Sequence, residues 1–96
     1  MGKAGLHQDR AETVALKTLE WLAAEERLDA FCAATGMDLD GLRSRTAQPA
    51  TLGAVLDHVL SDESLARQAT RDLDLADDAL LRARAALPGG DAPHWT

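Results

Sequence analysis

An all-α fold, a compact orthogonal bundle of about six short helices, is what this sequence predicts, and three observations carry the prediction. Hydrophobic residues make up 46% of the chain while aromatics make up 3% and tyrosine is missing. A core drawn mainly from Ala and Leu suits helices in close contact better than a β-sandwich. Apolar residues also recur at helical spacing in one segment after another, and Gly36, Asp38, Pro49 and Asp62 punctuate those segments at short intervals. At 96 residues the chain has room for a single core. The expected organisation is a helical domain over 9–87, with Gly-, Pro- and polar-rich flexible tails over 1–8 and 88–96.

Taken in order, Asp9 followed by Glu12 looks like a capping box, after which Ala15, Leu16, Leu19, Leu22 and Ala23 share one side and Lys17 and Glu20 the other. The first helix is predicted to end near Ala24. Leu28, Phe31, Cys32 and Thr35 make a short second helix that Gly36 can stop in a left-handed turn. Asp38 can cap a third helix holding Leu39, Leu42 and Arg43, and Pro49 opens a fourth, where its missing N–H costs little. That fourth helix turns Leu52, Val55, Leu56, Val59 and Leu60 inward. Ser61 or Asp62 caps a fifth with Leu65, Ala69 and Leu73 buried; Asp74 or a near neighbour begins a sixth with Leu80, Ala83 and Leu87 aligned.

Laid on itself, the chain matches. Superposing Leu28 on Leu65 aligns TLEWLAAEERL (18–28) with VLDHVLSDESL (55–65), and LRSR at 42–45 is echoed by LRAR at 81–84. Two pseudo-repeated three-helix halves sharing one core would produce this pattern. The competing explanation is that any two helices with the same burial pattern look partly alike.

Lys and Arg number 10 against 16 Asp and Glu, a net charge of -6. That balance argues against a surface built to track phosphates, which needs a concentrated excess of cations. Cys32 is the only cysteine, so neither an internal disulfide nor a thiolate cluster can form. No apolar run reaches the ~20 residues that span a bilayer, and residues 1–10 lack the apolar core of a signal peptide. A cytoplasmic location is the expectation.

His7, His58 and His94 offer no i, i+4 pair for a helical metal site. His58 takes the repeat position of Trp21 and is expected to pack half-buried and to contact Asp62 one turn on. Cys32, beside Phe31, reads as structural. The carboxylate pairs Glu25 with Glu26, Asp38 with Asp40, Asp62 with Glu63 and Asp77 with Asp78 fall at expected helix starts, where negative charge satisfies free N–H groups. General acid–base use is the alternative reading of those pairs. No Gly-rich phosphate loop, nucleophile elbow or EF-hand spacing occurs. Arg43 with Arg45 and Arg82 with Arg84 point about 200° apart within each pair, so neither forms one clamp, and a helix C-terminus accounts for both.

Leu28 to Ala47 has a helix-turn-helix outline through Cys32, Gly36 and Leu42, but Thr35 and Arg45 occupy positions that motif keeps apolar. Asp38 and Asp40 would also meet the phosphates. Trp21, at the margin of its helix's stripe, fills the core or anchors a partner, and Trp95 folds back on the domain or waits for one. The candidate partner-binding residues are therefore Trp21, His58, Trp95, Arg43 and Arg82.

The W-L-A stretch at 21–23, the T-G turn before an L-R helix at 35–43, the L-x-x-V-L-D-x-x-L-x-D-E segment at 52–63 and the A-x-x-A-L-P-G-G close at 83–90 resemble a family. It is an uncharacterised one of small helical alphaproteobacterial proteins, a domain of unknown function. The resemblance covers about Glu12 to Gly90. It implies a bacterial cytoplasmic protein without an assigned activity, and carries over no catalytic residue. Gln68 departs from the family's apolar tendency in the fifth helix, which predicts looser packing there.

Together these readings predict a non-enzymatic protein-interaction or regulatory module without cofactor or metal, a monomer or weak homodimer with a protein partner. A DNA-binding regulator with a degenerate helix-turn-helix is one alternative. A small ligand-binding or enzymatic domain using paired carboxylates is the other.

Overall fold

Helix ends decide this architecture, because each must find partners for the N–H and C=O groups its own ladder leaves over. In the computed structural model, which describes the backbone of residues 2–87 and side chains from Gln8 onward, six helices follow one another and no strand occurs among the described residues. They are α1 (Gly2–Ala24), α2 (Leu28–Thr35), α3 (Leu39–Ser44), α4 (Pro49–Leu60), α5 (Glu63–Asp72) and α6 (Ala79–Ala86). The predicted tail over 88–96, with His94 and Trp95, lies outside the described residues.

Three of the ends are built as their residues suggest. The Asp38 carboxylate accepts from the Gly41 N–H at 2.6 Å, opening α3. Asp62 accepts from the N–H groups of Ser64 and Leu65 at 3.0 and 3.2 Å, opening α5. Gly36 closes α2 at φ 76°, its N–H bonded to the Cys32 carbonyl at 2.9 Å.

Two boundaries differ from expectation. Helix α1 starts at Gly2 and so takes in residues 2–8, expected as a tail. The Asp9 and Glu12 that looked like a cap serve the helix interior instead: Glu12 accepts from the Gln8 amide at 3.1 Å, and the Asp9 carbonyl accepts from the Thr13 hydroxyl at 3.0 Å. With no proline upstream, nothing halts the ladder there. Asp74, expected to start α6, closes α5 instead, in a left-handed conformation at φ 55°. Its N–H bonds the Arg71 carbonyl at 3.2 Å and that of Leu75 bonds Thr70 at 2.9 Å. The same two-bond close ends α1, where Glu26 has φ 58°, its N–H meets Ala23 at 3.1 Å and that of Arg27 meets Leu22 at 2.8 Å. Both sites hold an acidic residue where glycine is usual, at a cost of roughly 1 kcal/mol each. Glu25 and Glu26 therefore finish α1 and do not cap α2, and Asp78 stands at the N-cap of α6.

Helix α4 is the hub. It buries Leu52, Gly53, Val55, Leu56 and Val59 and packs against α1, α2, α5 and α6. Helix α1 lies mainly on α6 and α4, contributing Ala11, Ala15, Leu19 and Leu22, while Phe31 and Leu42 bring α2 and α3 to the same core. Thr18, fully buried, returns its hydroxyl to the Val14 carbonyl at 2.8 Å. Every buried side-chain polar atom among the described residues has a partner, as a dry core requires.

Across the aligned segments Thr18, Leu19 and Leu22 are buried like Val55, Leu56 and Val59, but Trp21 is buried where His58 is half-buried, Ala23 is exposed where Leu60 is half-buried, and the turns differ. Glu26 takes the left-handed close, whereas its counterpart Glu63 is already the first residue of α5. Neighbours differ too, since α4 holds both α5 and α6 while α1 turns to α6 and α4.

Candidate interaction site

Helix α6 meets two neighbours in opposite ways. Toward α4 the seam is closed: Arg84 grips Asp57 with two parallel bonds, Nε to Oδ1 at 2.6 Å and Nη2 to Oδ2 at 3.1 Å. Gly53 lies beneath this fork, where a Cβ would stand 3.0 Å from Nη1 and 3.2 Å from Cζ and would make the guanidinium shift by a few tenths of an ångström. A guanidinium laid over bare helix backbone both packs and pairs.

Toward α5 the helices splay, leaving an open groove of about 860 Å³. Leu60, Ala66, Leu75 and Leu80 make its apolar lining, and Leu81 stands on its border, 62% exposed against 40% for Leu16 and 41% for Leu39. Leu81 is thus the most solvent-exposed large apolar side chain among the described residues. Charged residues edge the groove. Glu63 pairs with Arg67 at 2.9 Å one helical turn on, and Arg71 reaches Asp72 at 3.7 Å. Asp74 and Asp77 close the other end, and neither carboxylate has a side-chain partner among the described residues.

Two polar ties fasten the end of α1 to α5. The Trp21 indole N–H donates to Asp72 Oδ2 at 2.9 Å, and Arg27 Nη2 donates to Gln68 Oε1 at 3.1 Å. Gln68, whose polarity predicted looser packing, is half-buried, and its amide also donates to the Ser64 hydroxyl at 3.3 Å. That side chain joins two elements.

The residues singled out from sequence do not form one site. Trp21 is 6% exposed and belongs to the core, so it offers no face to a partner, and its one polar atom is tied to Asp72 at the end of α5. His58 is half-buried, edge-on to Phe31 with ring centroids 5.4 Å apart and planes at 76°. Its contact is this ring and not Asp62, whose carboxylate is spent capping α5. Arg43 is exposed late in α3, and Arg82 is exposed on α6, 3.9 Å from Asp78. Those four stand on four different helices, and Trp95 lies outside the described residues.

Other candidates acquire plain structural roles. Arg84 stands in the last turn of α6, as the helix-end reading expects, and is also the α6 half of a fork whose only sequence signal is a glycine inside a helix, Gly53, four residues before an acid. Cys32 is half-buried on the rim of the core. Helix α3, the would-be recognition helix, is six residues long and opens on exposed Asp38 and Asp40. Among the described residues no group of three or more His, Cys, Asp or Glu is placed to hold a metal ion, and no helix is long and apolar enough to cross a membrane.

A family model described as Protein of unknown function (DUF3572) matches residues 8–90. No curated protein and no solved structure matches the chain.

Proposed function

The chain belongs to the DUF3572 family, a membership that brings no activity with it, and from its own geometry we propose a non-enzymatic interaction module that holds a protein partner in a bacterial cytoplasm. The observation that carries this reading is the open α5–α6 groove with Leu81 left in solvent on its border. An exposed apolar side chain beside half-buried Leu60, Ala66 and Leu75, edged by charged residues, is the kind of surface that marks a protein contact. The family resemblance to small alphaproteobacterial proteins supports the cellular setting.

Two further features favour this reading over its rivals. The paired carboxylates are largely accounted for by folding, as caps at Asp38 and Asp62, as an ion pair at Glu63, and as the close of α1 at Glu26. A net charge of -6 and a short α3 that begins with aspartates weigh against nucleic acid. Site-specific photo-crosslinking tests the proposal. A crosslinking residue replacing Leu81 gives a discrete adduct in the native host, and the same residue replacing Asp29, exposed on α2, does not. Adducts from neither position, or equally from both, would overturn it.

A further inference from the structure

We infer that the α5–α6 groove takes an amphipathic helix of a partner protein, one whose apolar stripe is flanked by Lys or Arg toward the end of the groove formed by Asp74 and Asp77. The inference rests on the groove being the docking surface, and adds the chemistry of what enters it.

The lining comes in two parts. One wall is α5, whose Glu63, Ala66, Arg67, Thr70 and Arg71 recur at the i, i+3, i+4, i+7, i+8 spacing of a single helix face. Opposite it, half-buried Leu75 and exposed Leu81 present aliphatic surface from the α5–α6 loop and the start of α6, with buried Leu80 behind them. A groove with aliphatic side chains on one wall and a mainly polar helix face on the other suits an amphipathic helix, which brings apolar anchors at the same spacing and a charged flank.

Charge then selects the partner. Along the α5 wall the charges are matched internally, Glu63 by Arg67 and Arg71 by Asp72. At the loop end Asp74 and Asp77 remain without side-chain partners among the described residues, beside Leu75. A cation there meets two uncompensated carboxylates, and the net charge of -6 draws basic partners from a distance. A second copy of this chain brings the same excess of negative charge to that end, and an anionic membrane surface is repelled by it.

Full-length chain titrated with two fluorescent peptides of about 18 residues, five helical turns, tests the inference. Both carry Leu at i, i+3, i+4 and i+7; one is flanked by Lys and the other by Glu. The Lys peptide is expected to bind at least about tenfold more tightly, and the double variant Asp74→Lys with Asp77→Lys to reduce or reverse that preference. Asp29→Lys, on exposed α2, is expected to leave most of it intact, which separates local from net charge. Leu81→Glu abolishes binding while far-UV circular dichroism stays unchanged. Equal binding of both peptides, binding of neither, or indifference to Leu81→Glu would overturn the inference. So would a dimeric mass in solution with crosslinks between copies at position 81. An adduct to another protein at that position without preference for the Lys peptide retires the basic helix and leaves the docking surface standing.

Discussion

Leu80 and Leu81 are adjacent in the chain, share one helix turn, and do opposite things. Leu80 is 3% exposed and holds α6 against the body of the bundle; Leu81 is 62% exposed and borders the groove. Their difference is that of the two sides of α6. On the α4 side Gly53 leaves room for the Arg84 guanidinium and a bidentate ion pair joins the helices, while no side-chain bond joins α6 to α5 among the described residues. A side-chain fork closes one side of α6, and the surface open to binding lies on the side that has none.

That contrast can be broken by measurement, beginning with the largest effect. Leu80→Ala is expected to cost about 3 kcal/mol in urea unfolding, because it empties a buried site; a loss under about 1 kcal/mol would mean α6 is not seated as described. Next is the seam. A double-mutant cycle on Arg84→Met and Asp57→Asn should give a coupling of about 1 kcal/mol, held down by screening since the Asp57 side chain is 60% exposed. Coupling near zero would mean that the fork does not hold the seam.

On the groove side, Asp74→Gly should stabilise by about 0.5–1 kcal/mol through relief of the left-handed backbone, and Asp74→Ala should bring no such gain. Equal effects of the two would put the strain elsewhere. Smallest of all, Leu81→Ala is expected to stay within about 0.5 kcal/mol of the parent in unfolding while weakening binding of the Lys-flanked peptide. A large stability loss there would show that Leu81 is a core residue and dissolve the comparison.

The helical class and the order of the elements were legible because their signals are local. Gly36, Asp38, Pro49 and Asp62 each act on backbone groups within a turn of themselves, so their residue types alone announce them. The same chemistry misled at Asp9 and Asp74, since a carboxylate that can cap a helix can also sit inside one or just past its end. The candidate site was scarcely legible. A groove between α5 and α6 depends on how far two helices splay, which their own periodicities do not encode, and in sequence Leu81 is one leucine beside another, Leu80, with nothing to set it apart. Of the two roles open to Trp21, core and partner anchor, the structure shows the core, and the bond that ties its indole to Asp72 reaches some fifty residues along the chain, beyond what the periodicity of α1 encodes. The Arg84–Asp57 fork likewise joins residues far apart in sequence, with Gly53 as its one faint herald.

The bond from the Trp21 indole to Asp72 has a use beyond holding helices together. Asp72 lies two residues before Asp74, so the wall a partner would press upon is wired to a fluorophore. With Trp95→Phe the chain keeps a single indole, and its emission colour becomes a gauge of whether α5 shifts when the groove is filled, with no label attached.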